Sequence, residues 1–91
     1  MSEIIEYIRR NSSREHPIKG KDLADYFGIV GSDVRKEISN ARCNFIPICS
    51  SKRGYYFSND KELIAKTIES LRRRIASQEK AIEGMKAIIA G

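Results

Sequence analysis

The chain has 91 residues, 41% of them apolar, with a formal net charge of +5 and only two cysteines, so it predicts one small domain and excludes a disulfide framework. No apolar run approaches the roughly 20 residues that span a membrane, and the acidic residues near the N-terminus exclude a signal peptide, so we expect a cytoplasmic protein. The excess of basic over acidic residues favours an anionic partner such as nucleic acid, although solubility alone would also explain it.

The first third of the chain predicts two short helices separated by a loop. Three isoleucines recur at helical spacing and indicate a helix over residues 2–11. A polar loop follows and ends at Pro17, and residues 18–20 are a candidate for a very short strand. The sequence KDLADYFG then predicts a second helix with one apolar face, which stops at Gly28.

A third helix follows, and its two sides differ in chemistry. Ser32 is its predicted N-cap, and the helix runs to about Arg42. On a helical wheel the inward residues are Val34, Ile38 and Ala41. The outward and flanking residues are Ser32, Arg35, Lys36, Ser39, Asn40 and Cys43. A major groove can admit such a helix, whose basic, hydroxyl and amide groups pair with bases and phosphates. The simpler alternative is a polar face that is only solvated.

The sequence PICSSKRGYYF predicts a strand, a tight turn that contains Gly54, and a second strand. Tyr55 and Phe57 share one face by period-2 alternation and are expected in the core. Tyr56 points the other way, and its role stays open. Lys52 and Arg53 lie at the polar tip of this hairpin.

From Asp60 the chain predicts one helix almost to its end, with Asn59 or Asp60 as its cap. Its apolar residues alternate spacings of four and three, which is a heptad repeat. The seam consists of Ile64, Ile68, Leu71, Ile75, Gln78, Ile82, Met85 and Ile89. Isoleucine at every a position favours two parallel strands, so we predict a homodimer held by a coiled coil within residues 59–91. The alternative is a helix that folds back over its own domain.

The second and third helices together resemble the helix-turn-helix pattern. The residues that carry this resemblance are Leu23, Ala24, Gly28, Ile29, Val34 and Ile38. The sequence ARCNFIPICSSKRGYYF resembles the third-helix end and wing of winged helix-turn-helix domains of the biotin-operon-repressor type, and more closely still small phage-encoded relatives. The resemblance covers residues 3–57. The family usually has Leu at the position of Ala41 and Gly at that of Phe45, so we expect Asn44 to take the left-handed cap.

The resemblance implies a mainly α fold with a small β wing over residues 1–58. It implies a sequence-specific double-stranded DNA-binding protein, a phage or prophage transcriptional regulator, and the predicted coiled coil makes this regulator a dimer. We expect no cofactor and no metal. The implied DNA contacts are Ser32, Arg35, Lys36, Ser39 and Asn40 on the recognition helix, Ser51, Lys52 and Arg53 at the wing tip, and Lys19 and Lys21 next to the second helix.

Two other functions stay open. Winged helices also serve as protein-interaction adaptors, for example in phage replication or anti-defence assemblies, and the same surface could bind structured RNA. We do not expect an enzyme, because the single histidine, His16, and the scattered carboxylates form no recognisable catalytic set. Cys43 and Cys49 have poor spacing for a metal site, so we interpret them as structural thiols.

Overall fold

A computed structural model of the chain describes residues 2–91. The elements are α1 (Glu3–Asn11), α2 (Gly20–Phe27), α3 (Gly31–Cys43), β1 (Ile48–Ser51), β2 (Gly54–Phe57) and α4 (Lys61–Ala90). The fold is therefore mainly helical with a two-stranded antiparallel sheet and a long C-terminal helix, which confirms the predicted fold at this level. Within residues 2–91, no helix combines the length and the apolar content needed to cross a membrane.

The core lies between the first three helices and one face of the hairpin formed by β1 and β2. It is built from the isoleucines of α1, the apolar faces of α2 and α3, and Ile48 of β1. Val34 and Ile38 are each only 1% exposed, and Ala41 is buried beside them, so the predicted inward face of α3 is confirmed. Because side chains alternate along a strand, the next residues of the hairpin point to its other face.

The connection between α2 and α3 is short and contains one left-handed residue. Gly28 ends α2 with a φ of 65°, as predicted, and the Ile29 amide donates to the carbonyl of Ala24 at 3.0 Å. The predicted N-cap at Ser32 is wrong, because α3 begins earlier, with Val30 as an extended N-cap residue that makes no side-chain cap hydrogen bond. The Val30 carbonyl accepts from the Asp33 amide at 3.0 Å. Ser32 therefore lies inside the first turn, with its side chain exposed.

The end of α3 is a second place where the structure differs from the prediction. Asn44 has a φ of −100°, and the left-handed residue is instead Phe45, with a φ of 65°. The Ile46 amide donates to the carbonyl of Ala41 and the Phe45 amide to that of Arg42, which together form a Schellman motif. Asn44 stays with the helix because its side-chain amide donates to the Asn40 carbonyl at 2.8 Å. The left-handed residue at the end of α3 therefore comes one position later than predicted.

The hairpin is fixed to the start of α2 by backbone pairing. Ile18 and Tyr55 form an antiparallel bridge with two hydrogen bonds of 2.8 Å. This single bridge takes the place of the short strand predicted over residues 18–20. This bridge brings the Ile18 carbonyl so close to Gly54 that a Cβ at residue 54 would collide with it. Gly54 also has a φ of 139°, so both space and backbone conformation require glycine there.

The first turns of α4 pack on the outer face of the hairpin. Asp60 caps this helix, as one of the two predicted candidates, by accepting the Glu62 amide at 2.9 Å. Cys49 and Tyr56 are cross-strand partners on that face, and each is almost fully buried. Thr67 of α4 is 5% exposed and completes this second, smaller buried cluster. The role of Tyr56, open from the sequence, is thus a packing role.

Candidate nucleic-acid interface

The outward side of α3 is a continuous polar surface. Its exposed residues include Ser32, Arg35, Lys36, Ser39 and Asn40, all of which the sequence predicted as contacts, and one carboxylate, Asp33, in the first turn. The ion pairs found within residues 2–91 join Glu6 to Arg9 and Arg10, and Glu83 to Lys86. The two cations of the α3 surface, Arg35 and Lys36, therefore make no ion pair with the carboxylates of this part of the chain.

Arg42 fixes α3 against the hairpin, and the sequence analysis missed this role. Its Nε donates to the Ile48 carbonyl at 2.8 Å, and a second guanidinium nitrogen lies 3.5 Å from the Ser50 hydroxyl. Burial lowers the pKa of Arg42 because the charged form loses water contacts. A signal was present in the sequence, since Arg42 follows Ile38 by four residues and so lies at the edge of the inward face.

The tip of the hairpin carries two exposed cations. Lys52 and Arg53 form the two-residue connection between the paired residues Ser51 and Gly54, and the Arg53 amide donates to the Ser51 hydroxyl at 3.2 Å. The cations thus lie on a short turn whose base is fixed by the Ile18 bridge.

Burial raises the pKa of the Cys49 thiol further down the hairpin, which keeps that thiol neutral and fits a structural role.

Of the two lysines predicted beside α2, only one lies near the hairpin tip. Lys19 is the N-cap residue of α2, and Lys21 lies in the first turn of this helix. Lys19, Lys52 and Arg53 line one surface groove of about 570 Å³, whereas Lys21 is not part of its wall. The polar residues of α3 also lie outside this groove. The predicted contacts therefore fall into two sets, the α3 surface and the hairpin tip with Lys19.

The first turns of α4 present two chemically different flanks beside the docked hairpin. Lys66, Ser70 and Arg74, spaced by four residues, contribute to the groove that contains the hairpin tip. On the other flank, Ile64, Ile68 and Leu71 line a groove of about 380 Å³. The loop residues Phe45, Ile46 and Pro47 form the opposite wall of this second groove, which we call the apolar groove.

The apolar groove is the beginning of a longer exposed stripe along α4. Ile75 is 56% exposed, Ile82 52% and Met85 64%, and all of them belong to the predicted heptad seam. Phe45 is 95% exposed at the mouth of the groove. Patterned apolar residues of this kind, exposed along a helix of 30 residues, indicate a surface that a partner covers.

No protein-family model, curated protein or solved structure matches the chain. The candidate interface therefore rests on the placement of the chain's own residues. Polar and basic groups cluster on α3 and around the hairpin tip, and apolar groups follow α4. The first two surfaces fit an anionic polymer, whereas the third fits another helix.

Proposed function

We propose that the chain is a sequence-specific double-stranded DNA-binding protein of the winged helix-turn-helix type, acting as a dimeric phage or prophage transcriptional regulator. The observation that carries the proposal is the division of α3 into two sides. One side is anchored by Val34 and Ile38, each 1% exposed, and the other exposes amide, hydroxyl and basic groups. A helix whose inner face is packed in the core and whose outer face carries such groups is suited to reading base edges in the major groove.

The arrangement of neighbouring elements supports this proposal. A short turn with the left-handed Gly28 joins α2 to α3, and an antiparallel hairpin follows α3 directly. Winged helix-turn-helix domains have this order of elements. Arg42 and the Ile18 bridge hold the hairpin beside the two helices, so that its basic tip has a fixed position.

The proposed mechanism divides the contacts between positioning and reading. Lys19, Lys52 and Arg53 bind phosphates through charge, and these contacts set the register of the protein on the duplex without reading sequence. Asn40 is suited to a bidentate contact with adenine, and Lys36 to the acceptors of guanine. Arg35 lies at the flank of α3 and serves either a guanine or a phosphate, while Lys21, Ser32 and Ser39 add polar contacts.

Dimerisation through α4 completes the proposal. The seam from Ile64 to Ile89 is mostly exposed in the single chain, and a second copy of the same helix would bury it. In a parallel pair, Arg74 at a g position reaches Glu79 at an e position of the second copy, an exposed ion pair worth roughly 0.3 to 0.5 kcal/mol. A two-fold dimer binds two half-sites, so the DNA site should be an inverted repeat.

Selection of bound duplexes from a random DNA pool, with binding repeated at two salt concentrations, tests this function. We expect an enriched inverted repeat and binding that weakens as salt rises. Binding without enrichment of any motif would contradict sequence-specific recognition. Salt-independent or absent binding to duplex DNA would favour a protein-interaction adaptor, and a preference for structured RNA over duplex would replace DNA by RNA as the ligand.

A further inference from the structure

The groove at the hairpin tip has a second wall, which α4 supplies. Six cations line this groove, hereafter the basic groove: Lys19, Lys52, Arg53, Lys66, Arg73 and Arg74. Half of them belong to α4, a helix to which the proposed function assigns only dimerisation. The hydroxyls of Ser51 and Ser70 also line it. Cations and hydroxyls together are the side-chain groups that bind phosphate oxygens in protein–DNA complexes.

The charges of the basic groove are not balanced within the described residues 2–91. No carboxylate side chain lines the groove in this part of the chain. None of the six cations takes part in the ion pairs described above, which involve other residues. Uncompensated like charges in one groove favour a polyanionic ligand.

The two walls of the basic groove are held at a fixed separation. The Ser50 amide donates to the Thr67 hydroxyl at 3.2 Å, which joins β1 to the same turn of α4 that carries Lys66. The third side is the start of α2, where Lys19 is the N-cap residue and no side chain accepts the cap hydrogen bonds. The first amides of α2 and its dipole add partial positive charge beside Gly20, which lines the groove.

We propose that α4 is a DNA-contacting element as well as a dimerisation helix, and that the basic groove between α4 and the hairpin holds the phosphodiester backbone of the bound duplex. This inference rests on the proposed DNA binding and adds to it the residues Lys66 and Arg73. The same helix thus uses its basic flank for phosphate and its apolar flank for the second copy.

The helical positions of these cations allow the two roles of α4 to be separated. Lys66 and Arg73 occupy f positions of the heptad, the positions farthest from the seam, so their loss leaves dimer contacts in place. Lys80, also at an f position, and Lys86, at an e position where it pairs with Glu83, lie on the same helix but outside the basic groove. The groove variant, Lys66→Ala with Arg73→Ala, and the control variant, Lys80→Ala with Lys86→Ala, therefore remove equal charge from different parts of α4.

Binding of the full chain to a random-sequence duplex, measured across a range of salt concentrations, tests the inference. Two lost phosphate contacts reduce the steepness of log affinity against log salt by about 1.8 per protomer. When salt rises from about 50 to 200 mM, the affinity of both proteins should fall. The fall should be roughly 12-fold smaller, per protomer, for the groove variant than for the unmodified protein. The control variant should keep the original slope, and sedimentation should show both variants in the same oligomeric state as the unmodified protein.

The possible results separate this inference from the proposed function. An unchanged slope for the groove variant, with salt-sensitive binding by the unmodified protein, would overturn the contact by α4 and leave DNA binding intact. Equal flattening in both variants would also overturn it, because the effect would then come from total charge. If Lys52→Ala with Arg53→Ala flattens the slope and the groove variant does not, the hairpin tip acts alone. If the unmodified protein does not bind duplex at any salt concentration, the proposed function and this inference both fail.

Discussion

The backbone amide of Ser50 in β1 donates a hydrogen bond of 3.2 Å to the side-chain hydroxyl of Thr67 in α4. The same hydroxyl donates to the Leu63 carbonyl at 3.1 Å, and Thr67 is 5% exposed. This hydroxyl is therefore a buried link between the hairpin and the long helix. It lies between the two grooves, so the position of α4 on the hairpin shapes both the basic groove and the apolar groove.

Removal of this hydroxyl should destabilise the fold. Thr67→Val keeps the shape of the side chain but leaves the partly buried Ser50 amide without its acceptor, which costs roughly 1 kcal/mol of unfolding free energy. Thr67→Ser keeps the acceptor and serves as the matched control. Hydrogen exchange followed by NMR should show the Ser50 amide protected in the unmodified protein and in the Ser variant. Equal protection in the Val variant would show that this hydrogen bond does not hold the hairpin to α4.

Replacement of Phe45 by glycine should stabilise the protein. Phe45 has a φ of 65°, a conformation that costs a residue with a Cβ roughly 1 to 2 kcal/mol. Its side chain is 95% exposed, so it returns little packing energy within one chain. After allowance for the greater entropy of glycine in the unfolded chain, Phe45→Gly should raise the unfolding free energy by about 1 kcal/mol.

Asn44→Gly is the control for this substitution, because Asn44 has a negative φ and gains no relief of strain. Urea denaturation at one protein concentration should place the Phe45 variant above the unmodified protein and the Asn44 variant below it. A loss of stability in the Phe45 variant would contradict the prediction, because the contacts of this side chain would then outweigh the strain at residue 45.

Charged residues in the seam of α4 should separate the dimer. Ile75 and Ile82 are about half exposed in the single chain, so Asp at either position is well solvated in a monomer. In the dimer the same carboxylates would be buried without partners, which is strongly unfavourable. Sedimentation should therefore give a dimer for the unmodified chain at micromolar concentration and a monomer for Ile75→Asp with Ile82→Asp. A monomer for the unmodified chain would contradict dimerisation through α4.

The core and the order of elements were predictable because they follow from local patterns. Apolar spacing places Val34 and Ile38 inward, and a glycine at residue 28 supplies the left-handed end of α2. The two helix-end errors have a common cause, since residues without the usual cap chemistry occupy both positions. Val30 makes no side-chain cap, and Phe45 adopts a conformation that favours glycine, because the surrounding backbone hydrogen bonds determine both ends.

The candidate site was predictable only in part. The exposed face of α3 and the cations of the hairpin tip follow from periodicity and turn chemistry. The basic flank of α4 does not, because a heptad gives the face that meets a second helix but not the face that docks on the hairpin. That docking depends on Thr67 and on its contact with β1, which is 17 residues distant in sequence. Only the folded chain brings Lys66 and Arg73 beside Lys52.

The most direct test of the central claim is the specificity ratio of Asn40→Ala, which is the affinity for the selected duplex divided by that for a random duplex. If α3 reads base edges, this ratio should fall by a factor equivalent to roughly 1 to 3 kcal/mol, with little change on the random duplex. Lys36→Ala should behave similarly, and Lys80→Ala should leave the ratio unchanged. Affinities equal to those of the unmodified protein on both duplexes, for the Asn40 and Lys36 variants alike, would contradict DNA reading by α3.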